Sequence, residues 1–219
     1  MSQGCIENIN TQKTGRISVH GQIEKSKTLL IALHGYGQLV PYFIRKFQQV
    51  NSDDIMVIAP EGLHRFYLNG TSGRVGASWM TKEARLDDIE DNINYLNQVY
   101  SVYNENQTFQ KVIVLGFSQG AATAARWIEK TEFRIDAFIQ WAGVFPPDLE
   151  INANNSKWQS LKHFYVVGNQ DPYFAENSND AYNQSEWLNK HNFHSEISTF
   201  EGKHDIDPAT LNQILEKVG

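Results

Sequence analysis

Cysteine is almost absent from this chain: Cys5 is the single one in 219 residues. An internal disulfide is therefore excluded, and a reducing compartment is expected. The seven histidines and Cys5 show no metal-ligand spacing, so no metal site is expected. No apolar run reaches the roughly 18 residues that a spanning helix requires. The opening residues, MSQGCIENIN, lack both a basic start and an apolar stretch. No secretory signal is expected from them, and the location is read as cytoplasmic. Positive charge is short as well: 19 Lys and Arg stand against 25 Asp and Glu, a net charge of −6. That balance argues against nucleic acid and against a basic membrane-binding surface. Internal repeats and low-complexity segments are missing too.

What remains is a globular composition, 41% hydrophobic and 20% charged, of a length that suits one domain over residues 1–219. Residues 5–11 and 16–23 read as two short strands of an antiparallel edge hairpin. Continuous apolar runs at Thr28–Leu33 and Ile55–Ala59 read as strands covered on both faces. Residues 41–50 read as a helix with Pro41 in its first turn. Residues 61–82 are glycine-rich and aromatic, without a period, and read as a long functional loop. Glu83–Tyr103 is amphipathic at helical spacing, through Leu86, Ile89, Ile93, Leu96 and Tyr100.

Further strands are expected at Lys111–Leu115, Asp136–Trp141, His163–Gly168 and Ser195–Phe200, with helices at Gln119–Lys130 and Ser178–His191. Residues 142–160 read as a second long loop. Asp207 and Pro208 supply an N-cap and a first helical residue for a closing helix to Val218. Strands alternating with helices imply an α/β fold: a mostly parallel, twisted sheet with helices on both faces. In such sheets ligands collect beyond the carboxyl ends of the strands.

One stretch at a strand end carries chemistry. Lys111–Ala124 reads KVIVLGFSQGAATA, with Gly116, Ser118 and Gly120 spaced as Gly-x-Ser-x-Gly between a strand and a helix. That context is a nucleophile elbow, in which a sharp turn lifts the serine hydroxyl above the sheet. An ordinary strand-to-helix turn with a capping serine is the plainer alternative. Asp171 and His204 also follow strands, and the chain order Ser, Asp, His suits this architecture. A serine hydroxyl needs a base to take its proton. A histidine side chain ordinarily titrates near pH 6.5 and suits that task. A carboxylate behind it holds the tautomer and stabilises the imidazolium.

Rivals are weaker. His34 lies in a His-Gly-x-Gly turn and is read as shaping it. Asp205 adjoins His204, where its backbone aims it elsewhere, and Asp180 falls in an expected helix. The oxyanion donors are expected to be the backbone N–H groups of Gln119 and Tyr36. Trp79, Met80 and Phe145 are candidate walls of an apolar acyl pocket, with loop packing as the alternative.

Five segments recur in order: Leu33-His34-Gly35-Tyr36-Gly37, Ser78-Trp79-Met80, Gly116-Phe117-Ser118-Gln119-Gly120, Asp171-Pro172 and Gly202-Lys203-His204. Together the chain resembles the phospholipase/carboxylesterase family of α/β-hydrolases, which includes acyl-protein thioesterases and small bacterial carboxylesterases. The resemblance covers nearly the whole chain. It implies an α/β-hydrolase fold without a large cap domain, no cofactor, and hydrolysis of carboxylic esters or thioesters. Residues 61–77, and the Asp205-Ile206 pair after the histidine, depart from the thioesterase pattern and leave the acyl substrate open.

The expectation is a serine hydrolase acting on a small-molecule ester through Ser118, His204 and Asp171. A peptidase or lactone-opening hydrolase on the same residues is the alternative, as is a catalytically silent binding module. A homodimer is left open.

Overall fold

The core is a sheet whose strands bury both faces, and the sequence alternates accordingly. In the strand β2 (Thr28–Leu33), Leu29, Ile31 and Leu33 belong to one apolar cluster, while Leu30 and Ala32 belong to another on the opposite face. β6 (Lys111–Phe117) repeats this with Val112 and Val114 against Ile113 and Leu115. Successive side chains of a strand point to opposite faces, so an unbroken apolar run is what a strand covered twice demands. Each fully buried Val, Leu or Ile side chain contributes about 1.5–3 kcal/mol.

The structure is a computed structural model and describes residues 4–50, 53–105, 109–149, 156–174, 184, 188 and 193–219. The remaining strands of the main sheet are β1 (Ile17–His20), β3 (Ile55–Pro60), β7 (Ala137–Trp141), β8 (Lys162–Gly168) and β9 (Ser195–Phe200). Their order across the sheet is β1-β3-β2-β6-β7-β8-β9. Every pairing is parallel except β1 with β3. Helices α2 (Arg85–Asn104) and α3 (Gln119–Lys130) pack on one face, burying Leu96, Val99, Ala124 and Ile128. On the other face lie α1 (Val40–Phe43), continued by a 3₁₀ turn to Phe47, and the closing helix after β9. A short helix, α4 (Ser156–Ser160), precedes β8, and the closing helix, α5 (Pro208–Val218), starts at an Asp207 cap whose Oδ2 accepts the Thr210 N–H at 2.8 Å.

Several expectations fail locally. Residues 5–11 form no strand, and Ile6 and Ile9 stay exposed. The edge strand is antiparallel as expected, but β1 pairs with β3 and not with its own upstream neighbour. Residues 61–82 are not an unstructured loop. They contain a hairpin of β4 (His64–Tyr67) and β5 (Val75–Ser78), tied to the preceding turn by a Gln38–Ala77 bridge. Leu86, expected on the buried stripe of α2, is exposed. The expected helix at 178–191 and the rival Asp180 lie outside the described residues, apart from Gln184 and Leu188. No helix among the described residues is long and apolar enough to cross a membrane.

Burial also leaves two histidines uncharged. His163, enclosed by Phe138 and Phe193, has its pKa lowered by burial to about 3. His34, under the β2 turn, is held by burial at about 4. The unfolded chain takes up protons on both below about pH 6.5 and the folded chain does not, so stability falls as pH drops from 6.5 towards 4. Urea midpoints at pH 7.5 and pH 5 should show this loss, and His163→Phe should lose less over that interval than the parent.

Candidate active site

The Gly-x-Ser-x-Gly stretch turns directly from β6 into α3, and Ser118 sits at the junction with φ 55° and ψ −117°. Few non-glycine residues adopt a positive φ, and such strain persists where the surroundings enforce it. The enforcement is visible. Ser118 N–H donates to Trp141 O at 2.9 Å, and Ser118 O accepts from Ala121 N–H at 3.0 Å. α3 also presses on the end of β2: a Cβ on Gly120 would stand 2.3 Å from Leu33 O and 2.7 Å from His34 O. Only glycine permits that approach. The following turn touches the serine itself, since a Cβ on Gly35 would lie 3.1 Å from Ser118 Cβ.

Asp171 and His204 meet beyond the ends of β8 and β9. His204 Nδ1 lies 2.7 Å from Asp171 Oδ2. A carboxylate only accepts, so Nδ1–H is the donor, and in the neutral ring this leaves Nε2 as the basic nitrogen. The other carboxylate oxygen accepts Tyr173 N–H at 3.0 Å, and Asp171 is fully buried. The imidazole is half-buried between two rings, Phe117 at 4.9 Å and Tyr173 at 4.8 Å. Its backbone is fixed on several sides. Gln170 N–H donates to Gly202 O at 2.9 Å, and Trp141 Nε1–H donates to Asp205 O at 2.9 Å. A Cβ on Gly168 would stand 2.3 Å from Gly202 O. Asp205 points away, pairing with Lys46 and accepting Ile206 N–H at 2.7 Å. Among the described residues Ser118 makes no side-chain hydrogen bond to His204. The two are joined through Phe117, next to the serine in sequence and in ring contact with the imidazole.

Gln119 follows Ser118 directly, and Tyr36 follows Gly35, the residue that approaches the Ser118 Cβ. Gln119 is the first residue of α3, so its N–H has no intrahelical acceptor. The Tyr36 N–H donates to no backbone carbonyl among the described residues, and the Tyr36 ring packs on Phe66 at 5.0 Å. His34 lies beneath. Its Nε2 accepts Gly62 N–H at 2.9 Å, and its Nδ1 lies 2.7 Å from Gly35 O. Gly62 follows Glu61, a buried carboxylate bound by Arg16 through both oxygens, by Arg65, and by Val40 N–H. Burial alone would raise the Glu61 pKa, but those donors outweigh it and hold the group below the ordinary carboxylate range.

The expected pocket walls are placed differently. Trp79 is fully buried: its indole packs at a tilt against the His34 ring at 5.1 Å and donates to His34 O at 2.8 Å. Phe145 is buried against Trp158 and Phe193. Neither offers surface to a ligand in this structure, because their rings fill the space beneath the loops. Met80 is half-buried, and its carbonyl accepts Gln119 Nε2–H at 2.9 Å. The Gln119 side chain went unnoticed in the sequence, where only its backbone was considered. Glu61 was missed as well; an acidic residue directly after a buried strand is the signal that could have found it. Among the described residues, no group of three or more His, Cys, Asp or Glu side chains could hold a metal ion.

A parallel sheet covered on both faces, with a serine on a strained strand-to-helix turn, defines the α/β-hydrolase class. Residues 14–218 match the family model described as Phospholipase/Carboxylesterase, and the chain belongs to that esterase- and thioesterase-type family. Among solved structures, acyl-protein thioesterase 2 from Zea mays is similar with a TM-score of 0.70 at 18% identity, over 94% of this chain and 100% of that one. Esterase PE8 gives 0.66 at 20%, over 92% and 98%. The Bacillus cereus carboxylesterase gives 0.62 at 16%, over 93% of each. At these identities the likeness concerns the fold. A search of curated protein sequences found no match.

The close approach at Gly120 makes a simple prediction. Gly120→Ala should lower stability by about 2–4 kcal/mol, because backbone and not a flexible side chain blocks the added methyl. The change in urea midpoint measures it.

Proposed function

We infer that this chain is a serine carboxylesterase working through an acyl-enzyme. Ser118 is the nucleophile, His204 the general base and then general acid, and Asp171 the group that orients and stabilises the imidazole. The observation that carries this reading is the 2.7 Å contact between His204 Nδ1 and buried Asp171, beside a serine at φ 55°. With Nδ1–H given to Asp171, His204 Nε2 is free to take the Ser118 proton.

The serine oxygen attacks the ester carbonyl, and the resulting oxyanion rests on the N–H groups of Tyr36 and Gln119. His204 passes its proton to the leaving alcohol. Water then repeats the sequence on the acyl-enzyme and releases the acid, restoring Ser118. The hydrogen bond between serine and histidine in such sites often tightens only when substrate is bound. Likeness to a thioesterase and to carboxylesterases supports an acyl ester or thioester as substrate, since both pass through the same intermediate. The substrate is a small molecule, and no step needs a cofactor.

Initial rates on p-nitrophenyl esters of increasing chain length, set against aminoacyl amides, test the reaction class. Esters should be turned over and amides should not; preferential cleavage of amides would overturn the reading. Ser118→Ala and His204→Ala should each lower kcat by about 10⁴-fold or more. The double variant should lose little beyond either single change, since the pair acts as a unit. Additive losses would contradict that coupling.

A further inference from the structure

Trp79 donates twice, and its two acceptors belong to the two sides of the site. Its backbone N–H goes to Gln119 Oε1 at 3.1 Å, and its indole N–H goes to His34 O at 2.8 Å. The Gln119 amide completes the first link by donating to Met80 O at 2.9 Å and meeting Ser78 Oγ at 3.2 Å. On the second side the His34 ring continues the chain. Its Nε2 accepts an N–H from Gly62, so the proton of the neutral ring is on Nδ1, which donates to Gly35 O. The carbonyl of Gly35 and the N–H of Tyr36 belong to one peptide group. In a trans peptide these two point in opposite directions. Holding Gly35 O towards the buried imidazole therefore turns the Tyr36 N–H the other way.

We propose that Trp79 is the positioning residue of the oxyanion hole, fixing the Tyr36 and Gln119 N–H groups relative to each other through His34 and Gln119. The proposal rests on the assignment of Ser118 as nucleophile and of those two N–H groups as donors. It gives the buried indole a role in the chemistry without contact to substrate. Preorganised donors stabilise charge that exists only in the transition state. A loosened brace should thus lower kcat and leave KM nearly alone, whereas a lost substrate contact would raise KM.

Trp79→Phe keeps an aromatic ring in the core and removes the indole N–H. Removing an oxyanion donor outright typically costs about 10²–10³ in kcat, so a displaced one should cost about 10- to 100-fold. KM should stay within about twofold. Affinity for a trifluoromethyl ketone, which forms a tetrahedral oxyanion on the serine, should fall by the same factor as kcat. A folded Trp79→Phe with parental kcat and ketone affinity would overturn the proposal, as would a raised KM at unchanged kcat. Should Trp79→Phe not fold, Gln119→Met cuts the brace from its other end and is judged by the same numbers. Ser118→Ala run alongside separates the two ideas. If it retains turnover, the nucleophile assignment falls. If it is inert while the brace variants behave as parent, only the brace falls.

Discussion

The backbone at Ser118 is the constraint on which the rest depends. A positive φ at a residue with a side chain costs on the order of 1–3 kcal/mol and must be held by its surroundings. Here β6 and β7 hold the strand side, through Ser118 N–H to Trp141 O, and the first turn of α3 holds the other. Helix α3 can start at once only because its second residue is Gly120, lying against the carbonyls that end β2. Strand order places β2 and β7 on either side of β6, so one turn is wedged by both neighbours.

The same economy of contacts governs what surrounds the serine. Trp141 accepts from Ser118 through its backbone carbonyl and anchors Asp205 through its indole, so the elbow and the loop bearing His204 share one residue's support. Phe117 packs between Phe43 and the His204 ring. On the opposite flank a buried carboxylate, Glu61, gathers Arg16, Arg65 and the start of α1, and its neighbour Gly62 fixes the neutral His34. Charge there is fully paired, which is what burial of an ionised group requires.

Much of this was legible in sequence, for a physical reason. Thr28–Leu33 is an unbroken apolar run and Gln119–Lys130 follows directly on the Gly-x-Ser-x-Gly turn, and both spans match the structure. Asp171 and His204 both follow strands, where parallel topology brings strand ends together, and their side chains do meet at 2.7 Å. What was hidden lies where tertiary contacts override local pattern. The hairpin β4–β5 carries exposed His64, Arg65 and Tyr67, so it shows no apolar period. It is held instead by Arg65 on Glu61 and by the bridge to Gln38. Ile6 and Ile9 are spaced by three and find no partner strand, which left β1 to pair with β3. Trp79 looked like a pocket wall because aromatic residues in loops often are. Its indole N–H had an acceptor in His34 O that sequence could not display.

The central claim is that Ser118 alone among the serines carries an activated hydroxyl. Treatment of folded protein with a serine-directed fluorophosphonate, followed by peptide mapping, tests it most directly. One adduct per chain on Ser118, lost in His204→Ala, is the result expected. No adduct, or an adduct on another serine with Ser118 unmodified, would contradict the account.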